Sequence, residues 1–365
     1  MDKVPFYARA SLIIIGFFTL ITMLYIIQDI IVPIIYSIMI AILLVPLVDF
    51  FVRKKMNRVL AITLSLILVG FAVLLAIVLL SSRLSSFTES FPKLFDKFYE
   101  ILDQIILWFS SHFDISTKKL NLFISDFKTD MLNSSRSFIG NTINTVGNTI
   151  IVIILIPVYV FMILFYQPLL LDFIRKVFGE KNHVEVNLVL ASTKKLTQNY
   201  LIGLLFEFAL VALLNSIALL VLGIKYAVIL GIIGAILNII PYLGGIVAVA
   251  LPMVVAIVTK DSAWYAIYVL IAYYLIQLLD NNFIVPKIVA SKVKINALVS
   301  IIVVFLFGAF WGISGMFLSI PLTAIIKVIF DNIDSLKPWG FLLGDTMPTI
   351  EIFKIKFKKK IKVKI

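Results

Sequence analysis

The chain has 365 residues, 62% of them hydrophobic and only 14% charged, with a net charge of +12 and a mean hydropathy of +1.11. A soluble domain is about 45–50% apolar and about 25% charged, so the solvent that constrains this fold is lipid. The chain has no cysteine, which excludes thiol catalysis, disulfides and cysteine-ligated metals.

In chain order, apolar segments fall at 8–27, 30–51, 59–80, 149–167, 200–222, 226–258, 262–280 and 298–328. The first is not expected to be a cleaved signal peptide, because a second run, Ile30 to Phe51, follows with no small-residue cleavage site between them. Residues 81–148 are the one long polar region. In it Phe87, Phe91, Leu94, Phe98, Leu102, Ile105 and Phe109 recur at helical spacing, as do Leu120, Phe123, Phe127 and Met131. That pattern predicts amphipathic helices packed on each other or on the membrane face. Asn141, Asn144, Thr145 and Asn148 share one helix face, as a polar lining at a cavity mouth or a solvated lead-in to the next span.

Two stretches are too long for one upright span, which needs about 20 apolar residues, and short for two. Tyr226–Val258 is interrupted at Asn238, Pro241, Gly244 and Gly245; Leu298–Val328 is interrupted at Gly308, Gly312 and Gly315, with Pro321 beyond. Breaks of this kind in membrane proteins line cavities or bind solutes. Basic clusters test their topology: Arg53, Lys54, Lys55 and Arg58; Arg175, Lys176, Lys181, Lys194 and Lys195; Lys287, Lys292 and Lys294; and seven lysines between Lys354 and Lys364. All four are cytoplasmic under the positive-inside rule if the N-terminus is cytoplasmic and both broken stretches are re-entrant hairpins entering from opposite faces. The rival is a pair of tilted, kinked full spans. The lysine tail attracts anionic lipid; with no aromatic platform beside it, nucleic acid is not an expected partner.

Charged residues inside apolar segments are costly and point to function. Glu207, with Asn215 two turns on, is either a proton or cation site or a partly hydrated carboxylate near an interface. Gln277, Asp280, Asn281 and Asn282 close the seventh span before Pro286. They can ligate a cation or hydrogen-bond a polyhydroxy solute, or they can satisfy loose helix-end carbonyls. An acid is not favoured at a helix C-terminus, which tilts the cluster toward function. Pro241 frees a carbonyl, and Gly244 and Gly245 permit close approach, so the first break offers helix-end dipoles to a ligand. Gly308 and Gly312 also form a GxxxG pattern, which packs helices without any ligand. There is no phosphate-binding GxxxxGK[ST] loop, no nucleophile elbow and no paired histidines, so neither an ATP-driven pump nor an enzyme is expected, and no cofactor or metal.

At these residues the chain resembles a known family. Leu222-Gly-Ile-Lys-Tyr226 through Asn238-Ile-Ile-Pro241-Tyr-Leu-Gly244, and Asp280-Asn-Asn-Phe-Ile-Val-Pro286-Lys followed by Gly308, Gly312, Gly315 and Pro321-Leu, are similar to the signature of autoinducer-2 exporters, also described as PerM-like permeases. Members often carry a His-Pro or similar pair just before the last apolar stretch; here the positions read Asn296-Ala297. The resemblance implies a polytopic, homo-oligomeric inner-membrane transporter, some members being credited with autoinducer-2 export and others with sodium or lithium/proton antiport.

The expected fold is therefore an all-α polytopic membrane protein of about six full spans plus two interrupted hairpins, or eight spans, with a small amphipathic helical insert. Four regions follow: membrane helices 1–80, an extracytoplasmic insert 81–148, a transport core 149–330 and a basic cytoplasmic tail 331–365. The expected function is secondary export of a small polar solute, with Glu207 or Asp280 coupling proton or sodium. The alternatives are a cation/proton antiporter and a non-transporting membrane scaffold.

Overall fold

The computed structural model describes residues 5–113, 154–179, 182–240, 244–289 and 295–346. Every regular element among them is helical: α1 (Phe6–Ile26), α2 (Gln28–Arg53), α3 (Arg58–Phe113), α4 (Ile154–Phe165), α5 (Gln167–Phe178), α6 (His183–Val221), α7 (Ala227–Asn238), α8 (Gly244–Thr259), α9 (Trp264–Leu279), α10 (Ala297–Asn332) and α11 (Lys337–Leu343). A π-helical segment, Asp280–Val289, continues α9, and a 3₁₀ turn, Asp334–Leu336, precedes α11. By length and composition alone six are candidate membrane spans, α1, α2, α3, α6, α9 with its π-helical extension, and α10, of which α10 is sharply broken at Trp311–Gly312; α4 and α5 form a pair bent by 63°. The chain is an all-α polytopic membrane protein. Asn141, Asn144, Thr145 and Asn148, the second half of the polar region, Pro241, Lys292, Lys294 and the lysine tail lie outside the described residues.

Apolar side chains on α1, such as Ile13, Ile14, Phe17 and Phe18, are exposed, as a lipid-facing helix requires. Ala41, Leu44 and Val48 of α2, Ile62 of α3 and Val160 and Leu164 of α4 are buried together. The Arg58 guanidinium donates to the Leu164 carbonyl at 2.8 Å and to Gln167 Oε1 at 3.0 Å, fixing the start of α3 at the α4–α5 bend. Beyond the bend, α5 buries no residue and ends on Arg175 and Lys176, the pattern of a helix lying in the interface.

The third span and the first insert helix form one rod. α3 has 56 residues, about 84 Å at 1.5 Å per residue. The serines that follow the apolar run do not break it. Ser81, Ser86 and Thr88 turn their hydroxyls back onto the Val78, Ser82 and Leu84 carbonyls. Further along the rod, Phe87 and Leu94 are buried in one cluster with Ile224, Ala227, Val255 and Val258.

That contact settles the first broken stretch. α7 has 12 residues and α8 has 16, about 18 and 24 Å, each too short to span. They pack on each other, and both ends of the pair lie together. A Cβ on Gly223 would stand 2.9 Å from Lys260 Nζ, and the Tyr226 hydroxyl donates to Ser90 Oγ at 2.8 Å. The segment folds back on itself, as a hairpin seated mainly on α6 and α9.

The second stretch, α10, is written as one helix but folds back on itself. Trp311 (φ −129°, ψ 20°) and Gly312 (φ 60°, ψ −142°) leave helical geometry, and only glycine takes the second conformation without strain. Across this turn the arms touch: a Cβ on Gly315 would lie 1.9 Å from the Phe307 carbonyl oxygen, and one on Gly308 would lie 2.7 Å from the Met316 methyl. At the other end the Asn296 amide donates to the Leu343 carbonyl at 3.1 Å, so the base closes through α11. Gly308 of the GxxxG pattern thus serves contact between arms of one hairpin and Gly312 forms its turn, so the pattern does not pack two spans together. Both broken stretches thus fold back on themselves as helical hairpins.

Candidate functional site

On α6, residues 197, 200, 204, 207, 211 and 215 share one face, and the polar ones among them are buried: Thr197, Tyr200, Glu207 and Asn215. On α9 and its π extension, Tyr273, Gln277 and Asp280 form a matching stripe at spacings of four and three. Between the stripes sits the tip of the α7–α8 hairpin. The turn that ends α7 brings Asn238 to Asp280, and its Nδ2 donates to Asp280 Oδ2 at 2.8 Å. Gly245, at the start of α8, backs onto the Gln277 side chain, where a Cβ would come within 2.4 Å of Oε1. Gln277 in turn donates to Asn281 Oδ1 at 3.3 Å.

These groups face a half-open cavity of about 800 Å³. Glu207, Asn238, Gly245, Gln277, Asp280 and Asn281 line it, joined by Tyr200, Tyr273 and Tyr274. At the α10 base its wall is Ile295, Ala297, Ser300 and the exposed Asp345. No lysine, arginine or histidine is among the described lining residues. Asp280 is only 2% exposed and Glu207 8%. Neither enters an ion pair among the described residues, whose pairs are Lys176–Asp172, Lys327–Asp331 and Lys337–Asp334. Two buried acids facing one cavity without basic partners are costly. Such an arrangement suits groups that exchange a proton or cation, or that hydrogen-bond a solute.

Residues 12–335 match the family described as AI-2E family transporter. The chain belongs to that family. It is 25% identical over 318 residues to the AI-2 transport protein TqsA of Escherichia coli, covering 87% of this chain and 90% of TqsA. It is 27% identical over 230 residues to the putative transport protein YueF of Bacillus subtilis, covering 63% of this chain and 62% of YueF. A putative transport protein of Borreliella burgdorferi is 30% identical over 152 residues, 41% of this chain and 42% of that one. The match therefore spans less than two thirds of the length of these last two relatives.

Within this AI-2E chain the expected site residues divide. Glu207, Asn238, Gly245, Gln277, Asp280 and Asn281 converge on the cavity, and Gly244 supports them from the hairpin turn, packed on the Leu237 carbonyl. Asn282 is exposed and returns its amide to the Leu278 carbonyl. Gly308, Gly312 and Gly315 line neither this cavity nor a smaller one behind it. Their turn packs elsewhere: Trp311 Nε1 donates to the Leu24 carbonyl at 3.3 Å, and the Tyr36 hydroxyl to the Ser314 carbonyl at 3.2 Å. Pro286 lies inside the π-helical segment, and Pro321 is buried in the second arm of α10.

Sequence reasoning missed Tyr200, Tyr273, Tyr274, Ser300 and Asp345. A signal existed for Tyr273, which precedes Gln277 by four and Asp280 by seven, on their own face. None existed for Asp345, which reaches the cavity through tertiary contacts. Asn296 caps α10 by accepting from the Val299 amide at 2.9 Å. Its Nδ2 also donates to the Leu342 and Gly344 carbonyls at 2.8 and 3.0 Å, which holds Asp345 at the cavity wall.

Proposed function

We propose that this chain is a secondary transporter that carries a small polar, uncharged or cationic solute through the 800 Å³ cavity, with Asp280 or Glu207 exchanging a proton or sodium ion. The observation that carries the reading is the polar part of the lining: acids, amides and phenols set among aliphatic side chains, with no basic side chain among the described residues. Amides and phenols hydrogen-bond hydroxyl-rich solutes, phenol faces and carboxylates attract cations, and two uncompensated acids repel anions. TqsA is described as transporting AI-2, so an AI-2-like polyhydroxylated compound is the first solute to test. If the basic clusters around Arg53–Arg58 and Arg175–Lys176 are cytoplasmic, the α10 base and Asp345 also face the cytoplasm. That is the loading side for export, in the inner membrane of a bacterium, with both termini inside.

The test is flux in proteoliposomes with a panel of AI-2, a neutral polyol, an organic amine and inorganic phosphate, under imposed proton and sodium gradients. Flux of a neutral or cationic solute, lowered by Glu207→Gln or Asp280→Asn, is expected. Preference for phosphate, or no flux of any of the four, refutes the reading. Flux indifferent to both gradients removes the coupling.

A further inference from the structure

The α4–α5 bend and the loop between α2 and α3 meet at one level, because the Arg58 guanidinium donates to both Leu164 and Gln167 across the bend. The far end of α5 is held at the same level. Arg175 Nε donates at 2.9 Å to Oδ1 of Asn187, in the first turns of α6. α6 and α2 run alongside each other in opposite directions: Gln198 Nε2 donates to the Ile42 carbonyl at 2.7 Å, and Leu201 and Leu204 are buried with Met39. Asn187 to Gln198 on α6 and Ile42 to Arg53 on α2 are equal steps along the chain, about 16 Å of helix each. Asn187 is therefore level with Arg53, the end of α2, and α5 lies across the ends of the spans.

Three faces of α5 differ. Leu171 and Ile174 are half-buried, on the side where Arg175 reaches α6. Leu169, Leu170, Phe173 and Val177 are exposed on a second face, and Asp172 and Lys176 are exposed on a third. An apolar stripe beside a charged one, at the level where spans end, is the form of a helix seated in headgroups. Charge names the lipid. The end of α2, α5 and the first turns of α6 carry Arg53, Lys54, Lys55, Arg58, Arg175 and Lys176 against Asp49, Asp172 and Glu185, and Asp172 is paired with Lys176 at 2.9 Å. Aromatic side chains mark the same boundary: Phe165 and Tyr166 are exposed at the bend, and Lys54 Nζ lies 4.5 Å from the centre of the exposed Phe50 ring. A second copy of this face would set like charge against like.

We propose that α5 and the α2–α3 loop form a recognition surface for anionic phospholipid. The stripe of Leu169, Leu170, Phe173 and Val177 enters the acyl boundary of the bilayer, and the bases around it gather phosphate headgroups that carry net negative charge. Zwitterionic lipid, whose headgroup has no net charge, competes poorly there. The surface is separate from the solute cavity but bears on it, because α5 leads into α6, whose Tyr200, Leu204 and Glu207 line that cavity. Lipid that seats α5 also sets how α6 enters the membrane.

The chain has no cysteine, so the test places one NBD dye on Phe173→Cys or on Asp172→Cys of the full-length chain in phosphatidylcholine nanodiscs. Doxyl-labelled phosphatidylglycerol or doxyl-labelled phosphatidylcholine is then titrated in as quencher. Dye on Phe173→Cys should report an apolar environment and dye on Asp172→Cys an aqueous one. The phosphatidylglycerol should reach half-quenching of the Phe173→Cys dye at a mole fraction at least about fivefold lower, the factor of one base near the surface. Arg175→Gln with Lys176→Gln should remove most of that preference; a preference left unchanged overturns the role of α5. The comparison of the two quenchers needs no charge variant to fold. Equal quenching by the two lipids overturns the proposal, as does a dye equally wet at both positions. A dry dye that neither lipid quenches overturns it too, and gives the stripe to a second copy. None of these outcomes depends on solute flux.

Discussion

The bond between Asn238 and Asp280 joins residues 42 positions apart and ties the hairpin tip to the π-helical turn. At 2.8 Å, with the acid 2% exposed, it is a hydrogen bond to a buried carboxylate, a class worth about 1.5–3 kcal/mol. Asn238→Ala removes the protein partner of Oδ2, and Oδ1 already has none, so a loss of about 2–3 kcal/mol is expected. That is roughly a 30- to 150-fold shift in the unfolding equilibrium. Asn238→Asp should cost more, because it sets two carboxylates face to face. The exchange Asn238→Asp with Asp280→Asn rebuilds the bond with donor and acceptor reversed. Its stability should exceed the sum of the single changes by at least about 1.5 kcal/mol. Reversible unfolding of the four proteins in mixed micelles measures the cycle. Additivity within about 0.5 kcal/mol would show that the two side chains do not interact, and the seating of the hairpin tip would be wrong.

Impermeant maleimide should label single cysteines at Lys225 and Lys260 from the same face, since the first hairpin enters and leaves there; labelling from opposite faces refutes the hairpin. Gly315→Ala should destabilise by about 1–3 kcal/mol, because its Cβ would meet the Phe307 carbonyl at 1.9 Å, whereas Gly16→Ala and Gly70→Ala, with nothing within 4 Å, should be neutral or mildly stabilising in a melting assay. Asn296→Ala should cost about 2–3 kcal/mol, combining a lost cap of about 1 kcal/mol with two lost bonds to carbonyls, and should speed amide exchange over Lys337–Leu343.

What could be read from the chain was what leaves a local trace. Spans show as apolar runs. Hairpins show as stretches of the wrong length, interrupted at Asn238–Gly245 and Gly308–Gly315, whose charge flanks do not fit full spans. Glu207 and Asp280 show because an acid among apolar residues has few inexpensive places to go. The remainder depends on partners far apart in sequence. Asn238 gives no sign that its donor is committed to Asp280, and Tyr273 looks like any interfacial aromatic until Asn215 and Gly234 are set against it. The serine-rich run after the third span resembles a loop, yet α3 continues, because hydroxyl groups can satisfy helix carbonyls locally without ending the helix. The π-helical turn after Leu279 has no local signature beyond Pro286.

The two hairpins look equivalent in sequence, and a pair entering from opposite sides suggests that both tips meet at one site. The geometry separates them. The first hairpin brings its tip, Asn238 and Gly245, into the cavity; the second brings its base, Ala297 and Ser300, and one residue of its returning arm, Ile320. Its own turn at Trp311–Gly312 is held against the end of α1 and against α2. A tip bonded to a cavity carboxylate can respond to what that carboxylate binds. A turn anchored on α1 and α2 cannot do so directly. The second hairpin is therefore suited to be a fixed wall and the first to be the moving one. Its pivot would be the base, where Tyr226 bonds Ser90 and α3 packs beneath it. The Asn238–Asp280 bond is thus the polar contact that ties the first hairpin's tip to the cavity, while the second hairpin reaches the cavity through its base and Ile320.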